Sequence, residues 1–443
     1  MSKLTTAVIM AGGQGTRLIS ITGKYPKAMV NIRGTEEQYL GTAKDTILEH
    51  QMKMLSENGI TNFILVVGNK KEFIEEAFTN EKINQLIPGR GINIQYFEEQ
   101  DPLGTGGAFC SKELQDMIHD ENFLFTYSDV LFDVNIQQMM AVHERDKADA
   151  TVLISPCANP DDRPLLVCEN RSNVVMDLIP KQGKHDGPRG SLFPNTPKNG
   201  LMIMRKTAFS VLPEEPTYLD MEANILTKLI YGSKHKVCAW NSPCYLKDIG
   251  VVDRFYEGVA DLRKGIPATR NPEKMDQRCV VFNESDLIRV GENGKISLDI
   301  QVSDCIKEFN DRGIITLLYK NHPALAGHSK EDMIIDTMLI RDGVGTYVNA
   351  KYSDEDVVQG RLAERIEDWN ISLDNTYTIE TVPLKSGAAS TLSSRYTPCT
   401  CLVTNLGTDE RQIFSNVSSA AFSVLGELMT QNTTPVQTDD SCQ

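Results

Sequence analysis

Four apolar residues, Ala7-Val8-Ile9-Met10, run straight into Ala11-Gly12-Gly13-Gln14-Gly15-Thr16-Arg17-Leu18. No other stretch constrains the chain as tightly. A strand that stops in a loop of this kind leaves backbone N–H groups with no side chain in the way. Several such donors in a tight loop make a nest for anions, and phosphate is its usual guest. The loop lacks G-x-x-x-x-G-K-[ST], so it is no P-loop, and it lacks the G-x-G-x-x-G dinucleotide fingerprint. Pro26-Lys27-Ala28-Met29-Val30 follows closely and brings a second fixed cation near the same pocket.

The next stretches alternate in character. Residues 5–10 read as a strand and 45–58 as a helix closed by Gly59. Phe63-Ile64-Leu65-Val66-Val67 is apolar throughout, as a buried parallel strand should be. Ile92–Phe97, Phe123–Tyr127 and Ala148–Ile154 read as further strands, and Gly106–Ile118 as a helix. This order predicts an α/β fold with a doubly wound, mostly parallel, Rossmann-like sheet. Ligands bind outside the carboxyl ends of such strands. Three loops fall there: the glycine loop, Glu98-Glu99-Gln100-Asp101-Pro102-Leu103-Gly104-Thr105-Gly106-Gly107-Ala108, and Ser128-Asp129.

Gly12-Gly13-x-Gly15-Thr16-Arg17-Leu18, then Thr22, then Pro26-Lys27-x-Met29-Val30 closely resembles the sugar-1-phosphate nucleotidyltransferase family. Pro102-Leu103-Gly104-Thr105-Gly106-Gly107-Ala108 is similar to its second motif, whose glycines let a base and sugar lie flat on the backbone. Asp129 resembles the family's magnesium aspartate, with Ser128 where glycine is usual. Asp248-Ile249-Gly250 resembles the closing motif that supplies the second acid. The resemblance thus implies Mg²⁺ on Asp129 and Asp248, with Arg17 and Lys27 as catalytic cations. It implies substrate binding by Gly12, Gly13, Gly15, Thr16, Glu99, Gly104, Gly107, Lys181 and Gly200. Lys181 departs from the family's Glu-Lys-Pro, since both its neighbours differ. The glutamate that normally helps hold sugar hydroxyls is missing, so the sugar stays open.

The implied reaction joins a nucleoside triphosphate to a sugar 1-phosphate and releases pyrophosphate. A phosphate monoester has a second pKa of about 6 and needs no general base at neutral pH. The seven histidines form no catalytic cluster in the sequence, in keeping with this. Glu99 bears on the base. A carboxylate only accepts hydrogen bonds, and guanine offers N–H donors where uracil and thymine offer mainly acceptors. GTP is therefore favoured, and the pairing with a second domain that resembles heptose-type phosphatases, described below, points to a heptose- or mannose-type phosphate. The rivals are a glucose-1-phosphate uridylyl-, thymidylyl- or cytidylyltransferase and a non-catalytic sugar-nucleotide sensor.

The net charge of −15 argues against nucleic acid or an anionic membrane as partner. Residues 1–30 show no signal-peptide pattern, and no apolar run reaches a membrane span. The ten cysteines include no C-x-x-C, which makes reduced thiols in the cytoplasm the default expectation. Whether the chain forms a homo-oligomer is open.

At 443 residues the chain predicts more than one domain. The reading divides it into a nucleotidyltransferase domain at 1–265, a linker at 266–276, a second, smaller α/β domain at 277–430 and a disordered tail at 431–443. The second domain faintly resembles the haloacid-dehalogenase phosphatases. Those carry Asp-x-Asp-Gly-Thr after their first strand, where this chain reads Asn283-Glu284-Ser285-Asp286-Leu287. An amide cannot attack phosphorus as a carboxylate does, so the domain is expected to have lost phosphatase activity.

Overall fold

The computed structural model describes residues 4–32, 41–154, 163–169, 173–181, 197–232, 234–241 and 244–269. Beyond these it describes 278–283, 288–290, 296–298, 304–306, 308–309, 314–320, 348–353, 373–383, 399–408, 410–414, 420–421, 423–424 and 428. The chain divides into two compact units, one centred on Met1–Lys274 and the other on the residues from Met275 onward.

The first unit is built on strands β1 (Thr6–Met10), β2 (Asn62–Val67), β3 (Asn93–Glu98), β4 (Asn122–Tyr127), β5 (Val130–Asp133), β6 (Ala150–Ile154), β7 (Leu165–Cys168), β8 (Val175–Ile179), β9 (Lys198–Arg205), β10 (Val237–Asn241) and β11 (Tyr245–Asp248). Seven form one sheet in the order β10-β6-β9-β4-β1-β2-β3. β1 to β4 are parallel where they pair, as are β6 and β10, and β9 runs antiparallel between β4 and β6. The sheet is thus mostly parallel, as the alternating pattern predicts. Its central strands are apolar because both faces are covered: Ala7, Val8, Ile9 and Phe63 to Val67 are all sealed from solvent.

The helix expected at 45–58 spans Ile47–Glu57. Thr46 caps it by accepting the Glu49 N–H, and Gly59 takes a φ of +89° just past its end. The helix expected over Gly106–Ile118 is instead broken. A 3₁₀ turn at Gly107–Cys110 precedes a helix at Lys112–Met117, because Ser111 between them is extended. The linker expectation also needs correction at its start. Ile266–Thr269 are helical, directly after the helix Val252–Arg263, and residues 270–276 lie outside the described residues. Pro267 is no obstacle there, since a first helical turn does not need its N–H.

β5 and β11 form a separate antiparallel pair that sets Asp248 opposite Val130. A small apolar cluster lies here: Leu18, Val30, Ile32, Ile47, Leu131, Tyr245, Ile249, Phe255 and Val259. Leu18 adjoins Arg17 in sequence, and Ile249 adjoins Asp248. Leu131 follows Asp129 by two residues, and Val30 follows Lys27 by three. Burial of the apolar member therefore fixes the backbone that carries each polar one.

The second unit contains β12 (Cys279–Asn283), β13 (Ile288–Val290), β14 (Ile296–Leu298), β15 (Ile315–Lys320), β16 (Val348–Ser353), β17 (Thr376–Pro383), β18 (Cys399–Asn405) and β19 (Arg411–Phe414). Its main sheet has the order β16-β15-β12-β17-β18-β19, parallel from β16 to β17 and antiparallel beyond. Asn283 ends β12, while Glu284 to Leu287 and the tail from 431 lie outside the described residues.

Candidate active site

The carboxyl ends of β1, β2, β3 and β4 meet at one rim. Ala11 N–H donates to Val66 O at 2.8 Å, Glu99 N–H to Val67 O at 2.8 Å, and Ser128 N–H to Met10 O at 3.2 Å. The glycine loop thereby lies between the two other predicted loops.

Gly13, Thr16 and Arg17 are exposed at this rim, and Gly12 and Gly15 are half-buried. A Cβ on Gly13 would meet nothing within 4 Å, so the loop's backbone stays open to a guest. Gly15 has a φ of +63°, and a Cβ there would lie 3.0 Å from Lys27 Cβ. Glycine is needed on both counts, and the close approach sets Lys27 directly beside the loop. Arg17 stands in the 3₁₀ turn Thr16–Leu18, anchored by the fully buried Leu18.

Lys27 Nζ pairs with Asp129 Oδ2. Asp129 lies in the turn between β4 and β5. The buried Gln51 holds that turn through hydrogen bonds from its Nε2 to Tyr127 O (2.8 Å) and Val130 O (2.7 Å). Ile249 N–H donates to Asp129 O at 2.9 Å, tying the Asp-Ile-Gly segment to the same turn. Asp248 Oδ1 accepts the Gly250 N–H at 2.7 Å, and Asp248 Oδ2 lies 3.2 Å from Arg254 Nη2. A Cβ on Gly250 would sit 2.7 Å from Asp129 Oδ2, 2.9 Å from Asp248 Oδ1 and 3.1 Å from Lys27 Nζ. Three charged groups therefore converge on space that only a glycine leaves free. Two carboxylate oxygens facing one point suit Mg²⁺, a hard cation that takes one or two carboxylates and completes its shell with phosphate oxygens and water. Among the described residues no group of three or more acidic, histidine or cysteine side chains is placed to hold a metal.

Glu99 follows β3. A Cβ on Gly12 would lie 3.3 Å from Glu99 Oε2, so the carboxylate sits against the glycine loop. Burial pushes its pKa up to about 7, and the Leu103 N–H offsets this only in part. Its Oε1 is buried and has no hydrogen-bond partner among the described residues. A buried acceptor without a donor is costly and calls for an explanation.

The second glycine motif has a packing reason of its own. Cβ atoms on Gly104, Gly106 and Gly107 would lie 2.5 Å from Leu219 O, 2.6 Å from Ile225 Cδ1 and 2.3 Å from Thr217 O. These glycines let residues 217–225 press onto the loop, where Gly106 N–H donates to Leu219 O and Leu219 N–H to Leu103 O, both at 2.9 Å.

Gly200 lies in β9 beside Tyr127, whose ring a Cβ would meet at 2.9 Å. Lys198 of the same strand is buried and pairs with Glu222, which also accepts from Tyr127 Oη at 3.1 Å. Burial opposes ionisation of Glu222, but the charge and hydrogen bond of Lys198 outweigh it and hold the carboxyl down at about 2. Lys181 is exposed just after β8. The loop residues Lys184, His185 and Arg189 lie outside the described residues. The sequence reading named Gly250 only as part of the closing motif and missed Gln51, Lys198, Glu222 and Arg254. Of these four, Lys198 alone carried a signal, as a lysine opening an apolar strand two residues before Gly200.

A glycine loop, a lysine and two convergent acids thus share one rim of a mostly parallel α/β sheet. The nucleotidyl transferase family model matches residues 6–265, and the chain belongs to that family. It is 30% identical over 261 residues to the D-glycero-alpha-D-manno-heptose 1-phosphate guanylyltransferase of Aneurinibacillus thermoaerophilus, covering 58% of this chain and 98% of that one. It is 25% identical over 267 residues to the mannose-1-phosphate guanylyltransferase of Mycobacterium tuberculosis, covering 60% of this chain and 67% of that one. Among solved structures, HddC from Yersinia pseudotuberculosis matches with a TM-score of 0.43 and 22% identity, over 58% of this chain and 100% of that chain. The protein is a nucleotidyltransferase. No helix among the described residues is long and apolar enough to cross a membrane.

Proposed function

We propose that this enzyme transfers a guanylyl group from GTP to a heptose- or mannose-type sugar 1-phosphate, releasing pyrophosphate. The observation that carries the base is Glu99. Its buried Oε1 lacks a donor among the described residues, and guanine presents N1–H and N2–H as two adjacent donors where uracil and thymine present a single N–H flanked by acceptors. The two guanylyltransferases above support the same reading.

The sugar phosphate oxygen attacks the α-phosphorus, the bond from that phosphorus to the bridging oxygen breaks, and the electron pair leaves with pyrophosphate. No base is required, so the protein's work is positioning and electrostatics. The loop N–H groups from Gly12 to Thr16 receive the triphosphate. Arg17 holds the leaving pyrophosphate with its bidentate fork, and Lys27 stands at the attacked phosphate. Lys181 approaches the nucleophile's phosphate from the end of β8. Asp129 and Asp248 would hold Mg²⁺, which when bound neutralises the phosphate charge in the transition state. Glycines 104 and 107 shape the base side of the cleft, and Gly200 keeps the floor by Tyr127 flat for the sugar.

The second unit, on this reading, keeps a phosphatase-like fold without its nucleophile. The test is a panel of sugar 1-phosphates against each nucleoside triphosphate with Mg²⁺, measuring pyrophosphate. Release with GTP and a heptose or mannose phosphate is expected. Preference for UTP, dTTP or CTP with glucose 1-phosphate would refute the guanylyl assignment. Binding without turnover across the panel would make the chain a sensor.

A further inference from the structure

Each acid of the proposed metal pair already has a cation of its own chain on it. Lys27 occupies Asp129 Oδ2, and Arg254 lies 3.2 Å from Asp248 Oδ2. Arg254 belongs to the first turn of the helix Val252–Arg263, and its neighbour Phe255 is buried in the small apolar cluster. Its backbone is therefore fixed. Its Nε is buried without a hydrogen-bond partner among the described residues, so the guanidinium is held at the carboxylate by its Nη2 end. Gly250 N–H orients the other oxygen of Asp248 independently.

Two acids and two cations in one cluster sum to no net charge. A divalent ion arriving alone would meet no negative field, and it would have to displace Lys27 from Asp129 without offering it another partner. A triphosphate changes both conditions: it adds negative charge and gives Lys27 phosphate oxygens to move to. We infer that Arg254 is a positioning residue that, together with Lys27, neutralises the acid pair, so that the enzyme admits its divalent cation only along with the nucleotide's phosphates. The inference rests on the assignment of Asp129 and Asp248 as metal ligands and is independent of which base the enzyme selects.

The probe is Mn²⁺ titrated into the full chain without nucleotide, read by electron paramagnetic resonance. Wild type should bind it no tighter than millimolar. Arg254→Met should tighten nucleotide-free binding roughly tenfold or more, the effect of one charge on a divalent ion a few ångströms away even at the dielectric of water. Arg254→Lys should restore the wild-type weakness, and adding Asp248→Asn to Arg254→Met should abolish the gain. A side chain that merely held the loop would lose metal binding on truncation, the opposite sign. Micromolar Mn²⁺ binding by wild type, or unchanged or weaker binding by Arg254→Met, would overturn the inference. Lys27→Met provides the second variant: it should tighten binding in the same direction through Asp129, and failure to do so counts equally against the proposal. Circular dichroism before each titration identifies a variant that has not folded. The test uses no nucleotide, so a failed base assignment and a failed neutralisation argument show up in different experiments.

Discussion

Replacing Glu99 with glutamine changes one oxygen for an NH₂ and removes the charge, with almost no change in shape. In the wild type the carboxylate lies against Gly12, with Oε1 buried and without a partner among the described residues. Two acceptor oxygens facing guanine's N1–H and N2–H make charge-assisted hydrogen bonds, each worth about 1.5–3 kcal/mol. Glutamine keeps one acceptor and turns the other into a donor facing a donor. The loss of one such bond predicts a fall in kcat/KM for GTP of roughly 10- to 150-fold. The Glu99 carboxyl titrates at about 7, raised by burial. kcat/KM for GTP should therefore rise with pH until about 7 and then level off, since this parameter reports the free enzyme's groups. In Glu99→Gln that limb should vanish, leaving only the titration of GTP itself. Stability moves the other way. The raised folded-state pKa means that the proton on Glu99 stabilises the fold at pH below 4.5 and that this contribution is lost as pH rises through 7. Glu99→Gln should thus gain thermal stability over wild type at pH 8 and little at pH 4. Initial rates of pyrophosphate release against pH, with melting curves alongside, check both. An unchanged kcat/KM for GTP in the variant, or an identical pH profile, would refute the idea that this carboxylate reads the base.

Three further outcomes are expected. Gly250→Ala puts a methyl 2.7 Å from Asp129 Oδ2 and 2.9 Å from Asp248 Oδ1, and should lower kcat about 100-fold by spreading the acids, while melting temperature changes little. Arg17→Ala removes an exposed side chain and should cost roughly 10²–10³ in kcat, the scale for one oriented electrostatic donor, with the fold intact by circular dichroism. His143 is fully buried between Thr151 Oγ1 (2.9 Å) and Asn122 Oδ1 (3.1 Å), and burial lowers its pKa to about 4. The stability it supports as a neutral ring is complete above pH 6.5 and drains away as pH falls toward 4, by up to ~3 kcal/mol, so urea midpoints should fall across that window and fall less in His143→Gln.

The parallel strands were legible because their signal is local. Phe63 to Val67 is apolar at every position, and both faces of that strand prove to be covered. Gly59 marked the end of the helix for the same reason, while the Thr46 cap lies inside the span expected from the sequence. The glycine loop, the loop from Glu98 to Ala108 and Asp129 could be placed on one rim because strand alternation puts loops at alternate ends of the sheet, whereas Asp248 was pointed to by the resemblance of its Asp-Ile-Gly motif alone. What stayed hidden depends on partners distant in sequence. Nothing within β9 states that it pairs antiparallel with β4 and β6. Gln51 reads as one more helix residue until its amide is seen holding the turn from Tyr127 to Val130. Arg254 and Gly250 acquire meaning only when Asp129 and Asp248 converge on them. The glycines from 104 to 107 could be seen as necessary, but the pressing segment at 217–225 that makes them so lies more than a hundred residues away.

The central claim is that one sheet rim brings a triphosphate, a divalent ion and a base-reading carboxylate together. A crystal structure of the full chain with a non-hydrolysable GTP analogue and Mg²⁺ tests it most directly. The account predicts the triphosphate on the Gly12–Thr16 backbone under Arg17, the metal bridging it to Asp129 and Asp248, and the guanine edge on Glu99. A triphosphate bound away from the glycine loop, or a guanine edge turned from Glu99, would contradict it.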